Sequence, residues 1–121
     1  MGETAGFRRR TFAANRTIFD EGEPAKAAYV LRRGAVEIRV GTLGDNPHTL
    51  ATVKVGELFG ELALLEDRSH EAAAIALENS EVLEVPRDEF MKRLNAADPV
   101  MKAVVNHLVA RLKEMSSQFK G

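Results

Sequence analysis

The chain has 121 residues, 45% of them hydrophobic and 29% charged, with a formal net charge of −1. That length suits one domain with a modest core, and the balance excludes both a largely disordered chain and a nucleic-acid binder that works by overall charge. There is no cysteine, which removes disulfides, thiolate chemistry and cysteine metal sites.

The N-terminal stretch "MGETAGFRRR" has no apolar signal core. Gly2 follows Met1, but Gly6 stands where an acylation signal needs Ser or Thr. No apolar run approaches the roughly 20 residues that cross a bilayer. A soluble cytoplasmic protein without a membrane partner is expected. Residues 1–15 are weakly patterned, and "RRTFAAN" is read as a short helical lead-in. Arg8-Arg9-Arg10 is too short a basic run to imply more than a solvated surface.

Residues 16–86 carry the strands. Asp20 to Pro24 is a turn cluster between two apolar stretches. Ala28–Leu31 and Ala35–Val40 read as strands around Gly34, and Val36, Ile38 and Val40 alternate with Glu37 and Arg39 as a half-buried strand requires. "GTLGDNPH" is a polar loop, "TLATVKV" a further strand, and "AAIAL" and "EVLEV" are two more, joined by Glu78-Asn79-Ser80. Many short strands with glycine-rich turns predict a small antiparallel double-sheet roll.

Residues 87–121 are helical. Pro86 stops the last strand. "RDEFMKRLNAA" has acids early and bases late, as the helix dipole favours. A hinge is expected at residues 95–98, with Asp98 as N-cap and Pro99 at the first helical position. In the last helix Met101, Val105, Leu108, Leu112, Met115 and Phe119 are spaced 4, 3, 4, 3, 4, a heptad seam. Such a seam either packs on the roll or pairs with a second copy, and a homodimer through this helix is expected.

The most informative stretch is residues 59–76, "FGELALLEDRSHEAAAIA". Gly60 allows a close backbone approach or an unusual dihedral pair. The amides from Glu61 to Ala63 would begin a short helix and point out unpaired. Glu61 suits a ligand that also offers hydroxyl donors, as a ribose does. His48 and His107 stand alone, without metal-site spacing. No catalytic motif is present, neither a Walker loop nor H-E-x-x-H, so an enzyme is not expected.

At this point the order "IFDEGEPAKAAYVLRRGAVEI", "VGELFGELALLEDRSHEAAAIAL" and "EVLEVPRDEF" resembles the cyclic-nucleotide-binding domain, the sensor of catabolite-activator-type regulators, kinase regulatory subunits and nucleotide-gated channels. The resemblance spans roughly Phe12 to Leu112 and implies a mainly β fold, an antiparallel β-roll of jelly-roll type with helices at its end. It implies that residues 59–76 are a phosphate-binding cassette. Gly60, Leu62 and Ala63 would offer amides to the cyclic phosphate of cAMP or cGMP, and Glu61 would take the ribose 2′-hydroxyl. Relatives often read "EDRPRSAT" where this chain reads "EDRSHEAA". Ser69 replaces the proline, His70 the phosphate-pairing arginine and Glu71 the small residue, with Ala72 following; Arg68 lies two residues off register.

Arginine forks onto a phosphate and is always charged, whereas histidine is largely neutral at pH 7. A hydrogen bond to a charged group is worth about 1.5–3 kcal/mol, so its loss costs roughly 10- to 150-fold in affinity. Glu71 adds a carboxylate beside the expected phosphate, although it could instead raise the histidine pKa. The sequence thus predicts a regulatory sensor domain for a small anionic ligand with weak or altered nucleotide binding. The alternatives are a functional cAMP or cGMP domain and a ligand-free dimerisation module. No helix-turn-helix pattern follows the tail, so the output element is expected on another chain or beyond this sequence, with no nucleic acid bound through this chain alone.

Overall fold

The computed structural model describes residues 6–120, with the side chains of 113 and 115–120 left aside. Two four-stranded antiparallel sheets face each other. One has the order β1 (Arg8–Phe12), β8 (Ser80–Pro86), β3 (Ala27–Arg33), β6 (Leu58–Phe59). The other has the order β2 (Thr17–Phe19), β7 (Ala73–Ala76), β4 (Val36–Val40), β5 (His48–Val53). Three helices complete the chain: α1 (Glu61–Leu65), α2 (Arg87–Asn95) and α3 (Pro99–Lys120). The double-sheet roll expected from the strand spacing is therefore present.

The lead-in departs from expectation. It is not helical: Arg8–Phe12 forms an edge strand on β8, with Arg8 opposite Glu84 and Phe12 opposite Ser80. The physical reason is cross-strand charge pairing. Arg10 meets Glu84 at 2.8 Å and Arg9 meets Glu81 at 3.4 Å, so the basic run is an electrostatic seam on the acids of β8 rather than bare solvated surface.

The core lies between the sheets. Ile18, Phe19, Tyr29, Leu31, Val36, Val53, Phe59 and Val82 are buried together. Phe19, Tyr29 and Phe59 form a mutual ring cluster with centroids 5.4–6.2 Å apart. The alanine run has its explanation here. β7 lies between β2 and β4, and Ala73, Ala74 and Ala76 are fully enclosed, so their small side chains let the sheets close where larger ones would not fit.

Gly34 shows how tightly the turns are set. Its φ is +95°, and a Cβ there would overlap the Ser80 hydroxyl and stand 2.6 Å from the Asn79 carbonyl oxygen. The same serine accepts from the Ala35 amide at 3.3 Å, so this corner locks the β3–β4 turn onto the start of β8.

The helices attach at one end. Arg87 at the start of α2 donates to the Leu64 carbonyl at 2.7 Å and lies 3.4 Å from Asp67, while its amide donates to the Lys26 carbonyl. The end of α1 is thus strapped to the start of α2. Asp98 accepts from the Val100 amide at 2.8 Å, which is the N-cap the sequence predicts for α3. In α3, Val105 faces an apolar groove of about 470 Å³ with Phe7, Val30, Leu65 and Phe90, and so leaves the heptad seam. The exposed apolar row is instead Val100, Met101, Val104, Leu108 and Leu112. The side chains of Met115 and Phe119 lie outside the described residues.

Gly34→Ala places a side chain against backbone at a left-handed dihedral, and should lower stability by about 1–3 kcal/mol or more. Leu64→Ala empties a fully buried position and should cost about 2–5 kcal/mol. Urea melts of both variants check this; a midpoint unchanged from the parent in either would contradict the packing described.

Candidate functional site

A cavity of about 700 Å³ opens beside α1, between that helix and the β4–β5 hairpin. Its lining contains the seven residues to which the resemblance assigns ligand contact or a neighbouring place: Gly60, Glu61, Leu62, Ala63, His70, Glu71 and Ala72. The structure therefore brings together residues that the sequence placed twelve positions apart along the chain.

Gly60 begins the site. Its φ of +79° turns the chain out of β6 into α1, whose N-terminus no side chain caps. A Cβ at this position would come within 3.0 Å of the Phe19 ring and 3.3 Å of the Tyr29 ring, so glycine is required by both the dihedral and the aromatic floor beneath it. Glu61 follows at the head of the helix. Burial pushes its carboxyl above the ordinary range, against a backbone hydrogen bond that favours the ionised form.

His70 is held from two sides. The His70 amide donates to the Glu23 carbonyl at 2.9 Å, the Gly22 amide donates to the His70 carbonyl at 2.8 Å, and Ser69 bridges Pro24. The loop is thereby stapled to the turn between β2 and β3. The ring, only 6% exposed, stacks face to face on Phe19 with centroids 3.7 Å apart and planes 12° from parallel. Burial pushes its pKa below the usual imidazole value; Glu23 pulls it up and Arg68 adds to the depression. The acid that opposes the depression is thus Glu23, and burial outweighs it.

Sequence reasoning set Arg68 aside because of its register, yet its residue lines the cavity. Its guanidinium donates twice to Glu66, at 2.8 and 3.0 Å, and once to the Ser69 carbonyl at 2.9 Å, and lies 3.9 Å from Glu71. Also missed were Phe19, Glu57 and the β4–β5 wall of Ile38, Leu50, Thr52 and Val53. Leu50 is 61% exposed on an edge strand, a signal visible only once the strand is placed. His48 and His107 are exposed and do not line the cavity. No helix among the described residues is long and apolar enough to cross a membrane, and none of their acids or histidines group as a metal site.

Comparison with known proteins places this geometry. The family model described as "Cyclic nucleotide-binding domain" matches residues 9–96. The chain is 32% identical over 108 residues to the cyclic AMP receptor protein of Thermus thermophilus, covering 89% of this chain and 50% of that protein. It is 32% identical over 91 residues to a cAMP-dependent protein kinase regulatory subunit of Aspergillus fumigatus, covering 75% of this chain and 21% of that one. The crystal structure of the Thermus thermophilus catabolite activator protein superposes with a TM-score of 0.76 at 30% identity, over 96% of this chain and 55% of that structure. The cGMP-bound form of the EAL enzyme Bd1971 superposes with a TM-score of 0.77 at 27% identity, over 92% of this chain and 30% of that structure. The chain thus spans half or less of the length of the curated relatives it matches. With the double-sheet roll and a family match over residues 9–96, this chain belongs to the cyclic-nucleotide-binding domain family.

Proposed function

We propose that this chain is a non-enzymatic regulatory domain that senses a small ligand in the cavity beside α1, and that it binds cAMP and cGMP weakly. Family membership and the gathering of Gly60, Glu61, Leu62, Ala63, His70, Glu71 and Ala72 around one cavity support the sensor role. The single observation that carries the weakness is the His70 ring, which lies flat on Phe19 in an environment that favours its neutral form. A neutral stacked imidazole offers no fork of charged donors to a phosphate. Gly60, Leu62 and Ala63 would present backbone to the ligand, and Glu61 would accept from its hydroxyls.

Calorimetric titration with cAMP and cGMP tests the reading. The parent should bind weakly, and the double variant H70R/E71A should gain roughly 10- to 150-fold, the value of one charge-assisted hydrogen bond. Equal affinity in the two proteins would refute the assignment of position 70.

The stacked state of His70 also has a sign in pH. An unfolded histidine takes up a proton near pH 6.5. The folded one resists, so below that pH the unfolded chain binds more protons and stability falls as pH drops from about 6.5 through the lowered folded value. His70→Gln removes this contribution, and its thermal midpoint should depend less on pH across that window. Parallel pH curves for parent and variant would show that His70 titrates normally.

The second part of the proposal is a homodimer through α3. Its supporting observation is the exposed row Val100, Met101, Val104, Leu108 and Leu112, an apolar stripe along one side of a 22-residue helix. Sedimentation equilibrium should find a dimer, and Leu108→Lys, which sets a charge in the middle of that row, should shift the dissociation constant upward by at least about tenfold. A monomeric parent would remove the dimer and leave the ligand reading untouched.

A further inference from the structure

His70 belongs to two environments at once. One face of its ring lies on Phe19, with centroids 3.7 Å apart, and the residue also lines the cavity beside α1. A ring held by its face keeps its nitrogen edges for other partners. The backbone at this position is pinned, because the His70 amide donates to the Glu23 carbonyl at 2.9 Å and the His70 carbonyl accepts from the Gly22 amide at 2.8 Å. The place of the ring is therefore set, but its charge is not. Burial holds the imidazole below its usual pKa, and Arg68 adds to this, while Glu23 works the other way. The charged groups around it are Glu23 on the β2–β3 turn, Arg68 and Glu71 on its own loop, and Glu57 and Glu61 in the cavity lining.

An anion in this cavity would find hydrogen-bond donors before it found a cation. Gly60, Leu62 and Ala63 bring backbone to the wall, and no side chain caps the head of α1. Arg68 donates twice to Glu66 and once to the Ser69 carbonyl, so its guanidinium is already engaged on its own loop. Among the lining residues, His70 is the group that becomes a cation by taking up a proton near physiological pH. On the reading of this cavity as the ligand site, we propose that its occupancy by an anion is gated by a proton on His70: a cyclic monophosphate binds together with that proton, and its affinity rises as pH falls. The loop need not open for this, since a cation over an aromatic face is attracted to it and an imidazolium can stay on Phe19. The anion favours the charged ring in the complex more than in the free protein. Binding therefore draws a proton from solvent, and affinity changes by at most about tenfold per pH unit.

The test is calorimetric titration of the intact chain with cAMP, over the range in which its circular dichroism stays as it is at neutral pH. Between about pH 8 and about pH 5.5 the affinity should rise at least tenfold, within the worth of one charge-assisted hydrogen bond. Titrations in two buffers of different ionisation heat should show net proton uptake, approaching about one proton per ligand. His70→Gln should bind weakly at every pH, with no slope and no uptake. Glu61 is a second group whose protonation would ease an anion, since burial raises its pKa; Glu61→Gln should keep the slope. A slope that survives His70→Gln and vanishes in Glu61→Gln overturns the proposal. So does a parent whose cAMP affinity is flat with pH and whose binding takes up no proton. If that flat parent is accompanied by tight, pH-independent binding in H70R/E71A, the gate is wrong while the sensor site stands. If neither protein takes cAMP at any pH, the gate and the sensor reading fall together.

Discussion

The stack of His70 on Phe19 is the contact on which the site depends. Phe19 ends β2 and belongs to the buried aromatic cluster with Tyr29 and Phe59. The same ring sets the floor under Gly60, where a Cβ would come within 3.0 Å of it at a positive φ. One phenylalanine therefore fixes both ends of the cassette: the turn into α1 and the loop after it. The backbone bonds between residues 22–25 and 68–70 do the rest, since they leave the loop little freedom to swing. Position 70 is consequently spent on the core. Its ring contributes apolar and stacking area to the roll, and what it contributes to the cavity is a flat, weakly polar base.

That assignment explains the pattern of charges around it. With no cation fixed at position 70, there is nothing to demand a small neutral residue at 71, and a carboxylate can stand there. Arg68 can then turn sideways along its own loop toward Glu66 and Glu71. His70 stacked on Phe19 and the Arg68 pairs with Glu66 and Glu71 thus form one local arrangement on this loop. Salt bridges that are partly exposed contribute little stability individually, so the arrangement matters for the field it presents to a ligand more than for holding the fold.

Much of this was legible in the sequence because it depended on local pattern. The alternation Val36, Ile38, Val40, the glycine at 34, the Asp98-Pro99 start of α3 and the "FGELALL" junction each carry their own conformational signal, and each is found where expected. What was not legible depended on partners far along the chain. Arg8–Phe12 has no alternation of its own; it is a strand because its backbone pairs with the edge of β8, where Glu81 and Glu84 also meet its arginines. Val105 fits the heptad spacing, but the roll claims it for the groove with Phe7 and Phe90 and leaves Val104 outside. The stacking of His70 on a residue fifty positions away could not be inferred from the loop that contains it.

The groove and the cavity are also not separate features. Leu58 and Glu61 line both, so the short helix α1 is a shared wall with the ligand cavity on one side and the apolar face of α2 and α3 on the other. Arg87 ties the far end of that wall to the first residue of α2 through the Leu64 carbonyl. A five-residue helix has almost no independent stability; its position is set by what packs on its two sides. The exposed row of α3 lies on the same helix as Val105, so one element presents one side to the groove that α1 helps to wall and another, apolar, side outward.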